Sequence, residues 1–153
     1  SYRLIGYENR DIADRDFRND AVDAGEIGAG HTVTALYDLV LTGNAAEDLA
    51  TVRVRNKVPG PDAPAVEWLT TMQTDDIAAS FVQATPSMRI AFSAATFAEL
   101  LRGSPYAAEI SWEDLISLTS QAQRPGIAAD DELLSLQQRA ASLAGSRGAT
   151  AAK

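Results

Sequence analysis

Cysteine is absent from this 153-residue chain, which removes disulfide staples, thiolate zinc sites and cysteine nucleophiles together. Long apolar runs are absent as well: no stretch approaches the roughly 18–20 residues that a membrane span requires. The opening residues, SYRLIGYENR, lack the basic, then apolar, then small-residue order of a signal peptide. Positive charge is scarce, with 13 Lys and Arg against 21 Asp and Glu and a net charge of -8. A field of that sign repels phosphate backbones, and the densest cationic group is only Arg53, Arg55 and Lys57, so nucleic acid is set aside as a partner. Histidine occurs once, as His31. A catalytic triad around it would need a nucleophile exposed on a strained turn, and no Gly-x-Ser-x-Gly is present. His31 therefore reads as a strand-entry residue whose ring donates to a nearby carbonyl or carboxylate.

What remains is a 46% apolar share, enough for one compact domain with a core and too little for two large ones. The stretch Asp23–Leu41, DAGEIGAGHTVTALYDLVL, runs from an acidic, glycine-studded loop into alternating residues. From His31, Val33, Ala35, Tyr37, Leu39 and Leu41 fall on one side and Thr32, Thr34, Leu36, Asp38 and Val40 on the other, the period-2 pattern of a strand. The chain opens in a strand too, with Tyr2 and Leu4 opposed to Arg3 and Ile5. Further on, Val52, Val54, Asn56 and Val58 alternate with Thr51, Arg53, Arg55 and Lys57, giving one dry face and one cationic face. The proline-rich run 59–64 must be a loop, because its three prolines lack an N–H. A further strand is predicted over residues 65–74.

From Asp75 the period becomes helical. Thr85-Pro86 starts a helix whose stripe is Ile90, Ala94, Phe97, Leu100 and Leu101, and Gly103 with Pro105 stops it. Ser111, three residues ahead of Asp114, resembles a capping box, followed by an inner stripe of Trp112, Leu115, Ile116 and Thr119. After a break at Pro125-Gly126, Asp130 is predicted to cap a last helix that carries Leu133, Leu134, Leu136 and Leu143 and ends at Gly145. Strands first and helices second is the order of an α+β domain. The expectation is one domain over 1–145, β-rich over 1–74 and helical over 75–145, with an antiparallel, sandwich-like sheet, a three-helix half packed against it, and a flexible tail over 146–153. Trp68, Trp112, Phe97 and Tyr37 lie on apolar stripes and read as core aromatics.

The run YRLIGYENR, then Asp16-Phe17, Asn19-Asp20 and DAGEIGAGHTVTALYDLV resembles the uncharacterised domain that follows the von Willebrand factor type A domain in a group of bacterial proteins. The likeness thins beyond residue 40 to positions such as Ala94 to Tyr106 and the Ser-Trp-Glu-Asp-Leu start of a later helix. It implies context rather than chemistry: a strand preceding the one at Tyr2, a larger parent protein associated with the cell envelope, and a type A domain in the same chain as protein partner. Type A domains bind a divalent cation through Asp-x-Ser-x-Ser, and that motif is missing here. Any such ion belongs to the type A domain, and no cofactor is expected in this part.

Asp20, Asp23 and Glu26 are the candidate metal ligands, because clustered carboxylates on a flexible loop can hold calcium. Their spacing departs from the EF-hand, which needs ligands at alternate positions, a glycine at the sixth and a glutamate at the twelfth. The alternative is that the loop's acids cap backbone N–H groups or pair with Arg10, Arg15 and Arg18, while Gly25, Gly28 and Gly30 permit tight turns. Those glycines precede a strand rather than a helix, the reverse of a dinucleotide fingerprint. The function expected is that of a non-enzymatic accessory or interaction domain. The second expectation is a calcium- or small-ligand-binding module using the loop 11–26.

Overall fold

A computed structural model describes residues 1–6, 13–22, 25–41, 48–60 and 63–151. The architecture is α+β: strands occupy one unit, Ser1–Ala78, and three helices the other, from Ala79 onward. The change of hydrophobic period near Asp75 lies close to this division.

In the first unit β1 (Tyr2–Ile5) pairs antiparallel with β2 (Leu36–Leu39), and β3 (Asp48–Lys57) with β4 (Ala65–Gln73). Among the described residues the sheet foreseen from the sequence is therefore two separate two-stranded ladders. Strand β2 is shorter than the alternation from His31 predicts. Its partner offers only Tyr2 to Ile5 before Gly6 turns with φ 102°, so the ladder stops at Leu36 although the pattern continues upstream. Beside that ladder, Tyr2 and Tyr37 meet edge to face at 6.2 Å.

The second unit follows its punctuation. Helix α1 (Pro86–Arg102) is capped by Thr85, whose hydroxyl accepts from the Met88 N–H at 3.2 Å, and stops at Gly103, left-handed with φ 67°. Helix α2 (Trp112–Ala122) is capped by Ser111, which accepts from the Asp114 N–H at 3.0 Å. The Asp114 carboxylate accepts in turn from the Ser111 hydroxyl at 2.6 Å instead of reaching the backbone N–H of a full capping box. Helix α3 (Ala128–Ala151) departs from expectation at both ends: it begins before Asp130 and runs through Gly145. A single glycine costs a helix about 1 kcal/mol, which neighbouring alanines can offset.

Every buried residue among those described lies in the helical unit. Ile90, Ala107, Leu115 and Ala122 are its buried apolar residues; Ser93, Thr96, Glu99, Thr119, Asp130 and Gln137 are the buried polar ones. The inner face of α1 is thus Ile90, Ser93, Thr96 and Glu99, while Ala94 and Leu101 of the predicted stripe are exposed. Small hydroxyl residues face inward because they let helices approach and supply partners to one another. Ser93 of α1 and Thr119 of α2 share a short hydrogen bond. Gln137 of α3 donates from Nε2 to Ser93 Oγ at 2.9 Å and accepts from Thr119 Oγ1 at 2.7 Å. With Ser93 as donor to Thr119, the three side chains form a closed ring in which each accepts and each donates. Phe97 and Trp112 pack edge to face at 6.0 Å beside α1 and α2.

Asp130 does not cap α3. Its buried carboxylate accepts from the Arg124 backbone N–H at 2.9 Å, from Nε at 2.8 Å and from Nη2 at 2.6 Å, which clips the turn where Gly126 takes φ 78°. Nη1 of the same arginine reaches Ser87 Oγ at 3.2 Å, on the first turn of α1.

Two predictions follow from these contacts. Replacing Gln137 by Leu removes two buried hydrogen bonds, to Ser93 Oγ and from Thr119 Oγ1, while Thr119 keeps Ser93 and the Leu115 carbonyl at 2.9 Å. At roughly 0.5–1.5 kcal/mol per bond, the change should lower unfolding free energy by about 2 kcal/mol in urea titrations. The hydrogen bonds from Arg124 hold the Asp130 carboxyl below its usual range. A depressed folded-state pKa contributes stability that is complete above the unfolded value, near 4, and is lost as pH falls through the folded value. Asp130→Asn should therefore flatten the acid limb of stability measured by circular dichroism between neutral pH and pH ~2.

Candidate interaction face of the hairpin

The register of β3 and β4 sets Val52 opposite Thr70, Val54 opposite Trp68 and Asn56 opposite Val66. Directly opposed residues share a face, so these six side chains line one side of the hairpin. Val52, Val54, Val66 and Trp68 on it are 52%, 54%, 46% and 65% exposed. The dry face foreseen from the sequence exists, but it is a surface and not a core. Trp68, read as a core aromatic, sits on this surface, and Tyr37 at 52% exposed is likewise outside any core. The Trp68 indole N–H donates to Asn56 Oδ1 at 3.1 Å along the diagonal of the ladder. Its one polar group is thereby satisfied within the face, which leaves an apolar surface with a fixed aromatic.

The opposite face is largely polar and is bridged in part by ion pairs, with Leu69 exposed on it. Arg18 grips Glu67 with both Nε, at 2.9 Å, and Nη2, at 2.8 Å, while Arg55 Nη2 reaches Asp20 at 2.5 Å. Arg53 adds a longer contact to Glu67 at 3.8 Å. Hydrogen bonding from Arg18 pulls the Glu67 carboxyl below its ordinary range, and the same pair raises the guanidinium. The segment before Val22 is thus tied to the cationic side of the hairpin, which orients the apolar side away from it.

This pairing decides the fate of the predicted ligands. Asp20 is engaged by Arg55, Asp23 lies outside the described residues, and Glu26 is exposed. Among the described residues no three His, Asp or Glu side chains converge as a metal site would require. Asn19, not an acid, supplies a local backbone cap, its Oδ1 accepting from the Ala21 N–H at 3.1 Å. His31 is exposed and lies upstream of β2 rather than at its entry. Its backbone N–H donates to the Gly28 carbonyl at 3.1 Å. A Cβ on Gly28 would stand 2.8 Å from His31 Nδ1, so the exposed imidazole would have to turn aside for any larger residue there. Alternation in the sequence marks two faces without saying which one the chain covers, and the signal that could have told them apart was the acidic segment upstream, whose Arg18 and Asp20 complement Glu67 and Arg55.

One family matches stretches of both units. The family described as Uncharacterized protein YfbK, C-terminal, matches residues 1–48 and 41–143. The chain belongs to this family. The uncharacterised YfbK protein of Escherichia coli (strain K12) is 31% identical over 142 residues, covering 80% of this chain and 24% of that protein. The chain therefore spans about a quarter of the length of this YfbK relative. No solved structure matches it. The YfbK family description assigns no chemistry, so the geometry of the hairpin carries the functional reading.

If Trp68 packs in no core, Trp68→Ala should cost no more than about 1 kcal/mol, the scale of a cross-strand pair. A core tryptophan would cost about 3–5 kcal/mol. Urea unfolding followed by far-ultraviolet circular dichroism distinguishes these values.

Proposed function

We propose that this domain is a non-enzymatic accessory domain that supports or presents a von Willebrand factor type A domain for protein binding. The observation that carries the proposal is the exposed face of Val52, Val54, Val66 and Trp68 in a unit with no buried residue among those described. Contiguous apolar surface of this kind marks a place where another polypeptide packs. The resemblance of the first forty residues to domains that follow type A domains supplies the identity of the neighbour, and the greater length of the E. coli relative supplies room for it. The mechanism is surface complementarity: an apolar patch removes water on contact, and the paired charges on the other side set its orientation.

The E. coli relative offers a direct test. Its polypeptide outside the matched quarter should contain an Asp-x-Ser-x-Ser motif and bind magnesium, and deleting the matched quarter should lower the melting temperature of that magnesium-bound part by several degrees. Absence of the motif, or an unchanged melt, would sink the proposal.

A further inference from the structure

We infer that the Val52, Val54, Val66 and Trp68 face is the seat of polypeptide from the N-terminal remainder of the longer protein, docked within the same chain. This inference deepens the reading above and rests on it for the kind of partner, though not for the surface.

The first argument is incompleteness. Two-stranded ladders are marginal in water by themselves, and stable domains are built from at least two packed layers around an apolar interior. In the described part of the first unit the two ladders bury no side chain, whereas the helical unit closes its own interior around Leu115, Thr119 and Gln137. Among the described residues of this unit nothing supplies a second layer. The other side is charged and bridged by ion pairs from Arg18 and Asp20, so the valine and tryptophan side, with four large apolar residues exposed together, is where that layer fits.

Length and charge select its source. The family is a C-terminal one, and the matched region amounts to 24% of the E. coli relative, so most of that protein's polypeptide precedes it. A tethered segment reaches an effective concentration in the millimolar range, which gives it the advantage over a second copy of the chain at cellular levels. A net charge of -8 works against an anionic lipid surface. With the indole N–H satisfied by Asn56, the seat asks its occupant for apolar side chains and no hydrogen-bond acceptor at Trp68.

The test uses the full 153-residue chain and, as probe, the N-terminal remainder of the E. coli relative produced as a separate polypeptide. Amide exchange in β3 and β4 should slow by about tenfold or more when the probe is added in excess over its dissociation constant. Trp68→Asp should abolish this protection. Leu69→Asp, a control on the other face at 58% exposed, should leave it intact. Protection confined to other segments, equal sensitivity to both substitutions, or no binding would overturn the inference. So would burial of the face without the probe, seen as Trp68-dependent self-association in sedimentation or as Trp68-dependent capture by phosphatidylglycerol vesicles. Protection of the hairpin by a probe that lacks a metal motif would keep the seat and remove the type A reading. A metal-binding probe stabilised through other segments would do the reverse.

Discussion

The closed hydrogen-bond ring of Ser93, Thr119 and Gln137 is the constraint on which the helical half depends. One residue comes from each helix, and each is buried. In a low-dielectric interior a satisfied ring strengthens its own bonds, and a ring missing one member leaves costly orphans. Such a ring accepts one helical register, because sliding any helix by one turn would break both ring bonds of the residue it carries. Apolar residues such as Leu115 and Ala122 provide the general drive to pack, and the ring makes the packing specific.

A second polar clip works at the edge of the same unit. Arg124 and Asp130 hold the turn between α2 and α3, and the arginine extends that hold to Ser87 on α1. Among the described residues nothing comparable closes the β unit. Its ion pairs, Arg18 with Glu67 and Arg55 with Asp20, lie at the surface, where water and salt weaken them. They set the orientation of a segment without supplying a core. One part of the chain is thus self-contained around polar contacts, and the other is open on its apolar side, which is the physical basis for reading the hairpin as an interaction surface.

Much of the fold was legible. Thr85-Pro86, Gly103 and Ser111 act at short range through the backbone groups nearest to them, so the limits of α1 and the start of α2 could be read directly. Prolines of the run 59–64 likewise marked the end of β3. Alternation over residues 51–58 identified two faces correctly. Less legible were the buried face of α1, where Ser93 and Thr96 replaced the expected Ala94 and Leu101, and the role of Asp130, which accepts from Arg124 instead of capping α3. Ser93 is buried because Thr119 and Gln137, distant in sequence, satisfy it, and Asp130 because Arg124, six residues upstream across a turn, does so. Hydrophobic periodicity is blind to such partners. The candidate ligand Asp20, though exposed, is likewise engaged by a residue distant in sequence, Arg55 of β3.

By itself the sequence determined the α+β order, the helix caps, the absence of cysteine chemistry and the two-faced character of β3, since each depends on residues within a turn or two of one another. Tertiary structure alone decided that the strands form two ladders, that the helices meet around Ser93, Thr119 and Gln137, and that the valines and Trp68 face outward. Those outcomes depend on which segment reaches which surface. That is a matter of pairing between groups as far apart as Arg18 and Glu67, and no local pattern encodes it.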